Sequence, residues 1–270
     1  MMLLAQITDL HVTARGRTAY KVVDTARCLT RAVDALLALV PRPDAVVVTG
    51  DLTYEGRPEE YAVVAEELAR LPMPVYAIPG NHDARTPFRE ALVPRFCPTT
   101  DAEFLHFTVP VGETLLVALD TLVPGTDGGA LCAKRLAWVE RTLEEASGRP
   151  VILALHHPPF ATGIAHMDRI ALAEPAALER AVRRHERVER VLCGHVHRSV
   201  QTLWAGTIAS IAPSTAHQVE LALDPAAPSC FTLEPAGFHL HVRLGDGRLV
   251  THQGPLGRWP GPYRFAEYAA

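Results

Sequence analysis

The sequence predicts an α/β fold with a largely parallel sheet, ending in a β-rich C-terminal part. Short apolar runs alternate with stretches of helical periodicity through the first two thirds of the chain. Strands alternating with helices imply βαβ units with right-handed crossovers, and therefore parallel strands. Beyond about Ser199, short β-rich pieces separated by Pro and Gly replace the helices.

Leu3 to Ile7 is an apolar run suited to a strand buried on both faces. From Thr25 to Val40, apolar residues fall at Leu29, Val33, Leu36, Leu37 and Val40, the spacing of one helix face. Ala45 to Thr49 makes a second strand. Pro58 suits the first turn of the next helix, which carries Tyr61, Val64, Leu68 and Leu71 on one face. Val75 to Ile78 is a third strand, and further strands lie near Leu115 to Leu119, Val151 to Leu155 and Val191 to Cys193. The helix between the first two of these presents Leu136, Val139 and Leu143. Gly237 to His252 reads as a hairpin turning at Gly245-Asp246-Gly247. Phe238, Leu240, Val242 and Leu244 share its apolar face, with His239 and His241 on a polar face opposite. Residues 1–199 thus form the main unit, and 200–270 a β-rich portion of the same domain.

Composition narrows the function. Of the 270 residues, 48% are hydrophobic and 21% charged, ordinary for a soluble globular chain. A net charge of −4 argues against a nucleic-acid polymer as partner. Small anionic substrates remain open, because metal ions can supply positive charge that side chains lack. The five cysteines are odd in number and show no CxxC spacing, as expected of reduced thiols. The opening MMLLAQITDLHV reads as a first strand, without a charged leader. No apolar run approaches the roughly 20 residues that span a bilayer. A cytoplasmic protein with no membrane association is expected.

Almost every strand ends in residues that bind metals. The first runs into Asp9-Leu10-His11, the second into Gly50-Asp51, and the third into Gly80-Asn81-His82-Asp83. The strand through Leu155 ends in His156-His157-Pro158-Pro159, and the strand through Cys193 in Gly194-His195-Val196-His197. Sites in open α/β sheets form outside the carboxyl ends of strands, so five loops deliver Asp, His and Asn to one edge. Turn chemistry alone favours Asp and Asn after Gly at strand ends, but it does not account for all five loops. Two Asp, four His and one Asn suit Mn²⁺, Fe²⁺, Co²⁺ or Zn²⁺. Cys is missing from the set, which argues against a structural zinc site. Seven ligands exceed one tetrahedral ion and fit two ions sharing a carboxylate, roughly 3.5–4 Å apart.

Asp9-x-His11, Gly50-Asp51, Gly80-Asn81-His82-Asp83, His156 and Gly194-His195-x-His197 resemble the signature of calcineurin-like metallophosphoesterases. Within that superfamily the chain is most similar to bacterial class III cyclic-nucleotide phosphodiesterases and the related glycerophosphodiesterases. ITDLH, RPDAVVVTGDLTYEGRPEEY, IPGNHD, LHHPPF and the run Pro213 to Val219 carry this nearer likeness. The resemblance implies a two-sheet α/β sandwich and two divalent metal ions per chain. Asp9, His11, Asp51 and His197 would hold one ion. Asp51, Asn81, His156 and His195 would hold the other, with Asp51 bridging. A hydroxide between the ions would attack phosphorus in line, with His82 beside the phosphoryl group to stabilise charge or protonate the leaving oxygen. Asn81 would also meet the substrate.

His156 and His157 point to opposite sides of an extended strand, so both cannot be ligands; the resemblance favours His156. His217 is open to two readings, a pocket wall or a filler of a strand face. Met167-Asp168 follows His156 in a loop that could reach the site, although nothing in the spacing demands it. The function expected is hydrolysis of small phosphodiesters, either glycerophosphodiesters or 3′,5′-cyclic nucleotides. A phosphomonoesterase or protein phosphatase on the same scaffold is the alternative, and a scaffold without catalysis a more remote one. The resemblance also points to a homodimer or larger homo-oligomer.

Overall fold

The computed structural model describes residues 1–146, 148–257 and 259–268. Its alternating part opens with β1 (Met2–Ile7), α1 (Thr25–Leu37), β2 (Ala45–Thr49), α2 (Pro58–Leu68), β3 (Val75–Ile78) and α3 (Arg85–Leu92). There follow β4 (Phe107–Val111), β5 (Thr114–Ala118), α4 (Ala133–Ala146), β6 (Val151–Ala154), α5 (Ala165–Asp168), α6 (Ala176–Arg183) and β7 (Val188–Cys193). The C-terminal part holds β8 (Val200–Trp204), β9 (Thr207–Ile211), β10 (Gln218–Val219), β11 (Phe231–Thr232), β12 (Gly237–Arg243) and β13 (Leu249–Pro255).

The strands form two mixed sheets, ordered β13-β12-β1-β2-β3 and β4-β5-β6-β7-β9-β8, beside the small pair β10-β11. Parallel pairing joins β1, β2 and β3 in the first, and β5, β6, β7 and β9 in the second. Three of the four edge strands, β13, β4 and β8, pair antiparallel, which the prediction of a largely parallel sheet did not include. They are hairpins whose tight turns, such as Gly112-Glu113 and Ala205-Gly206, leave no room for the crossover that parallel pairing needs. Both sheets recruit strands from the C-terminal part: β8 and β9 complete the second, and β12 pairs with β1 through registers such as Gln6↔His239.

The expected helix after β1 ends early. Leu29, Val33 and Leu36 are fully buried, but α1 stops at Leu37 and Val40 is 93% exposed. Pro41-Arg42-Pro43 follows, and proline offers no N–H to extend a helix. Tyr61, Val64 and Leu68 of α2 are fully buried, each contributing roughly 1.5–3 kcal/mol of burial free energy.

The predicted hairpin forms, but its histidines are not on a solvent face. His239 and His241 are fully buried, while Leu240 and Val242 are only partly covered. The reason is a polar layer between the sheets. His241 Nε2 lies 3.1 Å from Gln6 Oε1 and His241 Nδ1 lies 2.9 Å from Thr251 Oγ1. The Gln6 amide donates in turn to Thr49 Oγ1 and to the Cys193 carbonyl of the second sheet. His239 Nε2 meets Ser199 Oγ at 3.2 Å. Burial pushes His239 down to about 4, with Arg190 adding to the shift. His241 is driven well below the usual imidazole range by burial, then by His239 and Arg190.

A pH dependence of stability follows. These histidines bind protons more readily unfolded than folded, so stability is present above the ordinary imidazole value and is lost as pH falls from there. His239 alone should cost about 3 kcal/mol between pH 7 and pH 4. Urea unfolding across that range should show the loss, and a His239→Gln/His241→Gln variant should flatten it. A variant with an undiminished acid slope would refute this assignment.

Candidate metal centre

The carboxyl ends of β1, β2, β3, β6 and β7 converge, and each delivers its loop to one cleft. Among the described residues, nine outside glycine have positive φ, and five of these are Asp9, His11, Asp51, His195 and His197. Such backbone is sparsely populated, tolerated best by Asn, Asp and His, and gathers at functional sites where packing over-determines it. The strain bends each chain sharply at the strand end, so that the side chain turns inward.

Glycines make the convergence possible. Gly50 adopts φ +95°, and a Cβ there would run into the His156 ring. A Cβ on Gly80 would collide with Asp51, and one on Gly194 with Thr8 Oγ1 and the Thr49 carbonyl. Asp83 fastens two of the loops together. Its carboxylate accepts from the Gly80, Leu52 and Thr53 amides, the Thr53 hydroxyl and the Tyr61 hydroxyl.

The seven residues expected as ligands are brought together. Asp9, His11, Asp51 and His197 present ligand atoms all within 4.8 Å of one another. Asp51 Oδ2 lies 3.4 Å from both His11 Nε2 and His156 Nε2, midway between the two groups. Its other oxygen accepts from the His82 amide at 2.9 Å. Asn81 Oδ1 lies 3.1 Å from His156 Nε2 and 3.0 Å from His195 Nδ1. Distance alone would also admit His157, which clusters with His156 and His195. Hydrogen bonding removes it: His157 Nε2 donates to the Asp127 carbonyl, and its Nδ1 accepts from Thr121.

The donors have the chemistry a cation requires. His156 and His197 each give Nδ1–H to a carbonyl, of Thr49 and His217, so Nε2 turns to the centre. His11 Nε2 and His197 Nε2 stand 3.0 Å apart. Burial, with His82 adding to it, drives His11 well below the imidazole range, and burial with His217 does the same for His197. Burial with His157 holds His195 there too, and its Nε2 has no hydrogen-bond partner. Neutral imidazole is the form that ligates, and two facing lone pairs repel unless a cation lies between them. The 3.4 Å contact of His11 with Asp51 is accordingly no ion pair.

His156 behaves differently. Burial lowers it, but Asp51 and Asp9 outweigh burial and bring it up to about 9. Burial would raise Asp51, yet His156, His82 and His11 hold it well below the usual carboxylate range. Burial takes Asp9 up to about 7 against the pull of His156.

His82 and His217 both line the cleft, which encloses about 400 Å³. The His82 Nδ1–H donates to the Tyr54 carbonyl at 2.8 Å. Burial lowers His82, but Asp51 and that carbonyl raise it further. His217 packs its ring 4.7 Å from that of His197. Met167 reaches the cleft wall, while the Asp168 carboxylate turns away to the Thr162 and Gly163 amides. Tyr20, Asp127 and Phe231 also line the cleft, and the motifs did not point to them. Tyr20 and Asp127 come from loops and Phe231 from the two-residue strand β11, none with a periodic pattern, and only the positive φ of Tyr20 marks one of them locally.

The statistical model of the calcineurin-like phosphoesterase family matches residues 2–199. A probable glycerophosphodiester phosphodiesterase GpdQ of Arcobacter nitrofigilis is 34% identical over 98% of this chain and 97% of its own length. The 3′,5′-cyclic adenosine monophosphate phosphodiesterase CpdA of Escherichia coli is 31% identical over 92% of this chain and 87% of its own. In three dimensions the chain is similar to a dimetal phosphatase of Danio rerio, at TM-score 0.67 and 16% identity, covering 95% of this chain and 99% of that one.

Proposed function

This chain belongs to the calcineurin-like phosphoesterase family, and from that premise we propose that it hydrolyses small phosphodiesters with two divalent metal ions. The observation that carries the reading is Asp51 Oδ2, equidistant at 3.4 Å from a nitrogen of each ligand group. Asp9, His11, Asp51 and His197 would hold one ion, and Asp51, Asn81, His156 and His195 the other. Mn²⁺, Fe²⁺, Co²⁺ and Zn²⁺ all suit this donor set. Bound ions of this kind polarise phosphoryl oxygens and make water nucleophilic at neutral pH.

The chain's own groups do the rest. The Asn81 amide nitrogen is free to donate to a phosphoryl oxygen while Oδ1 faces His156 and His195. His82 is held by its amide on Asp51 and by its Nδ1 on Tyr54, which leaves Nε2 as the nitrogen for substrate. There it can hold a proton for the departing alkoxide. Glycerophosphodiesters and 3′,5′-cyclic nucleotides are the diesters that the relatives' names bring to this reading. Five free thiols support a reducing, cytoplasmic setting. Among the described residues no helix is long and apolar enough to cross a membrane.

Diesters are favoured over monoesters by what the cleft lacks: among the described residues neither Lys nor Arg lines it. A monoester brings a second negative charge that, beyond the ions, only Asn81 and His82 could meet. With saturating Mn²⁺, bis(p-nitrophenyl) phosphate should exceed p-nitrophenyl phosphate in kcat/KM by about tenfold, the effect of roughly 1.4 kcal/mol of transition-state binding. The opposite order would transfer the assignment to the phosphomonoesterase reading.

A further inference from the structure

A second cavity, of about 380 Å³, shares a wall with the metal cleft. Its size is that of a small-molecule site. Arg27 and Arg31 line it from α1, four residues and so about one helical turn apart. A surface arginine is ordinarily just solvated. This pair is different, because among the described residues neither guanidinium has an ion pair or a hydrogen-bond acceptor. The two acids beside them are engaged elsewhere. Asp24 Oδ1 accepts the Arg27 amide at 3.1 Å to start the helix, and Glu234 pairs with Arg198 at 2.9 Å.

The facing wall holds a polar group without an answer. Thr215 is 2% exposed and lines the cavity, and its hydroxyl has no hydrogen-bond partner among the described residues. An unpaired buried hydroxyl is unfavourable, and one χ1 step exchanges its place with the methyl group. Val23, Ala216 and the half-buried Cys28 supply apolar surface, packed in one small cluster with Phe231 and Tyr54.

This wall is also a brace of the metal centre. The Ser214 hydroxyl donates to the Asp9 carbonyl at 2.7 Å, and the Thr215 amide to the Thr8 carbonyl at 3.3 Å. The His217 carbonyl accepts from His197 Nδ1 at 3.0 Å. Thr215 and Ala216 therefore line the cavity while the residues on either side of them hold Asp9 and His197.

We propose that this cavity is an effector site for a small organic phosphate monoester, with Arg27 and Arg31 on the phosphate and Thr215 as a further donor. Guanidinium forks match phosphoryl oxygens, and a monoester brings three terminal oxygens where a carboxylate has two. The apolar surface suits the organic body. The site goes beyond the phosphodiesterase reading and holds whichever ester the metal centre cleaves.

Phenylphosphonate, whose P–C bond resists hydrolysis, is the probe, titrated calorimetrically into the metal-reconstituted protein. Two sites per chain are expected, one at the ions and one here. Both arginines are exposed, so Arg27→Gln/Arg31→Gln keeps the fold; it should weaken the second site by about tenfold or more and retain the first. Thr215→Val should weaken the second site in part. Benzoate should bind there less tightly than phenylphosphonate, and benzyl alcohol less tightly still. At saturating bis(p-nitrophenyl) phosphate, which displaces the probe from the ions, phenylphosphonate should change kcat by about twofold or more in the wild-type protein and not in the double variant. A single probe site per chain, or a second one that survives Arg27→Gln/Arg31→Gln, would overturn the site. An arginine-dependent site that leaves kcat unmoved would overturn the effector role.

Discussion

Asp51→Asn is expected to bind less than one divalent ion per chain under conditions where the wild-type protein saturates at two. The substitution keeps the volume of a side chain only 2% exposed and keeps an oxygen for the His82 amide. It removes the charge from the oxygen that stands between His11 and His156. Both ligand groups lose their shared anion at once, so kcat should fall by several kcal/mol of transition-state stabilisation, on the order of 10³-fold or more. Asn81→Ala and His197→Ala should each lose one ion, and not the same one, since their neighbours differ. Elemental analysis after reconstitution counts the ions, and circular dichroism establishes that the variants are folded. A wild-type protein that saturates at one ion would end the two-metal proposal.

Whether such residues can be recognised from sequence depends on the kind of signal they leave. Strands β2 and β3 are legible to the residue because each is an unbroken apolar run closed by Gly or Pro-Gly. β4 is not legible, because Pro110 interrupts it; an edge strand tolerates proline, and its burial alternates as an edge strand's does. α6 is eight residues long, too short to present a convincing period. The loop residues of the centre are legible because five strands repeat one arrangement, a polar ligand type directly after an apolar run. Asp83 belongs to one of those motifs, yet its work is to clamp the Gly80 and Leu52 amides, which no spacing reveals. His239 and His241 mislead for a related reason. Their alternation with apolar residues is that of a half-solvated strand, and only packing against the second sheet, with Gln6 of β1 and Ser199 as polar partners, makes the polar face the inner one. The same limit hides Asp127 and Tyr20, which line one cleft from loops more than a hundred residues apart in the chain.

His82 offers the sharpest separation of chemistry from metal binding. Its amide donates to Asp51 whatever the side chain, so His82→Ala should keep both ions. The Tyr54 carbonyl can only accept, so Nδ1 carries a proton in every state, and Nε2 is the position that varies. As phosphorus becomes five-coordinate, negative charge moves onto the leaving oxygen, and a proton or hydrogen bond from Nε2 is worth typically 10²–10⁴-fold. An alkoxide needs that proton far more than a nitrophenolate does. His82→Ala should therefore lose about 10²-fold or more on glycerophosphodiesters and much less on bis(p-nitrophenyl) phosphate. An equal loss on both would leave His82 a charge-stabilising role and remove the acid one. Full activity in a variant still holding two ions would reduce His82 to a packed neighbour of Asn81, its ring 4.5 Å from His11 for structural reasons alone.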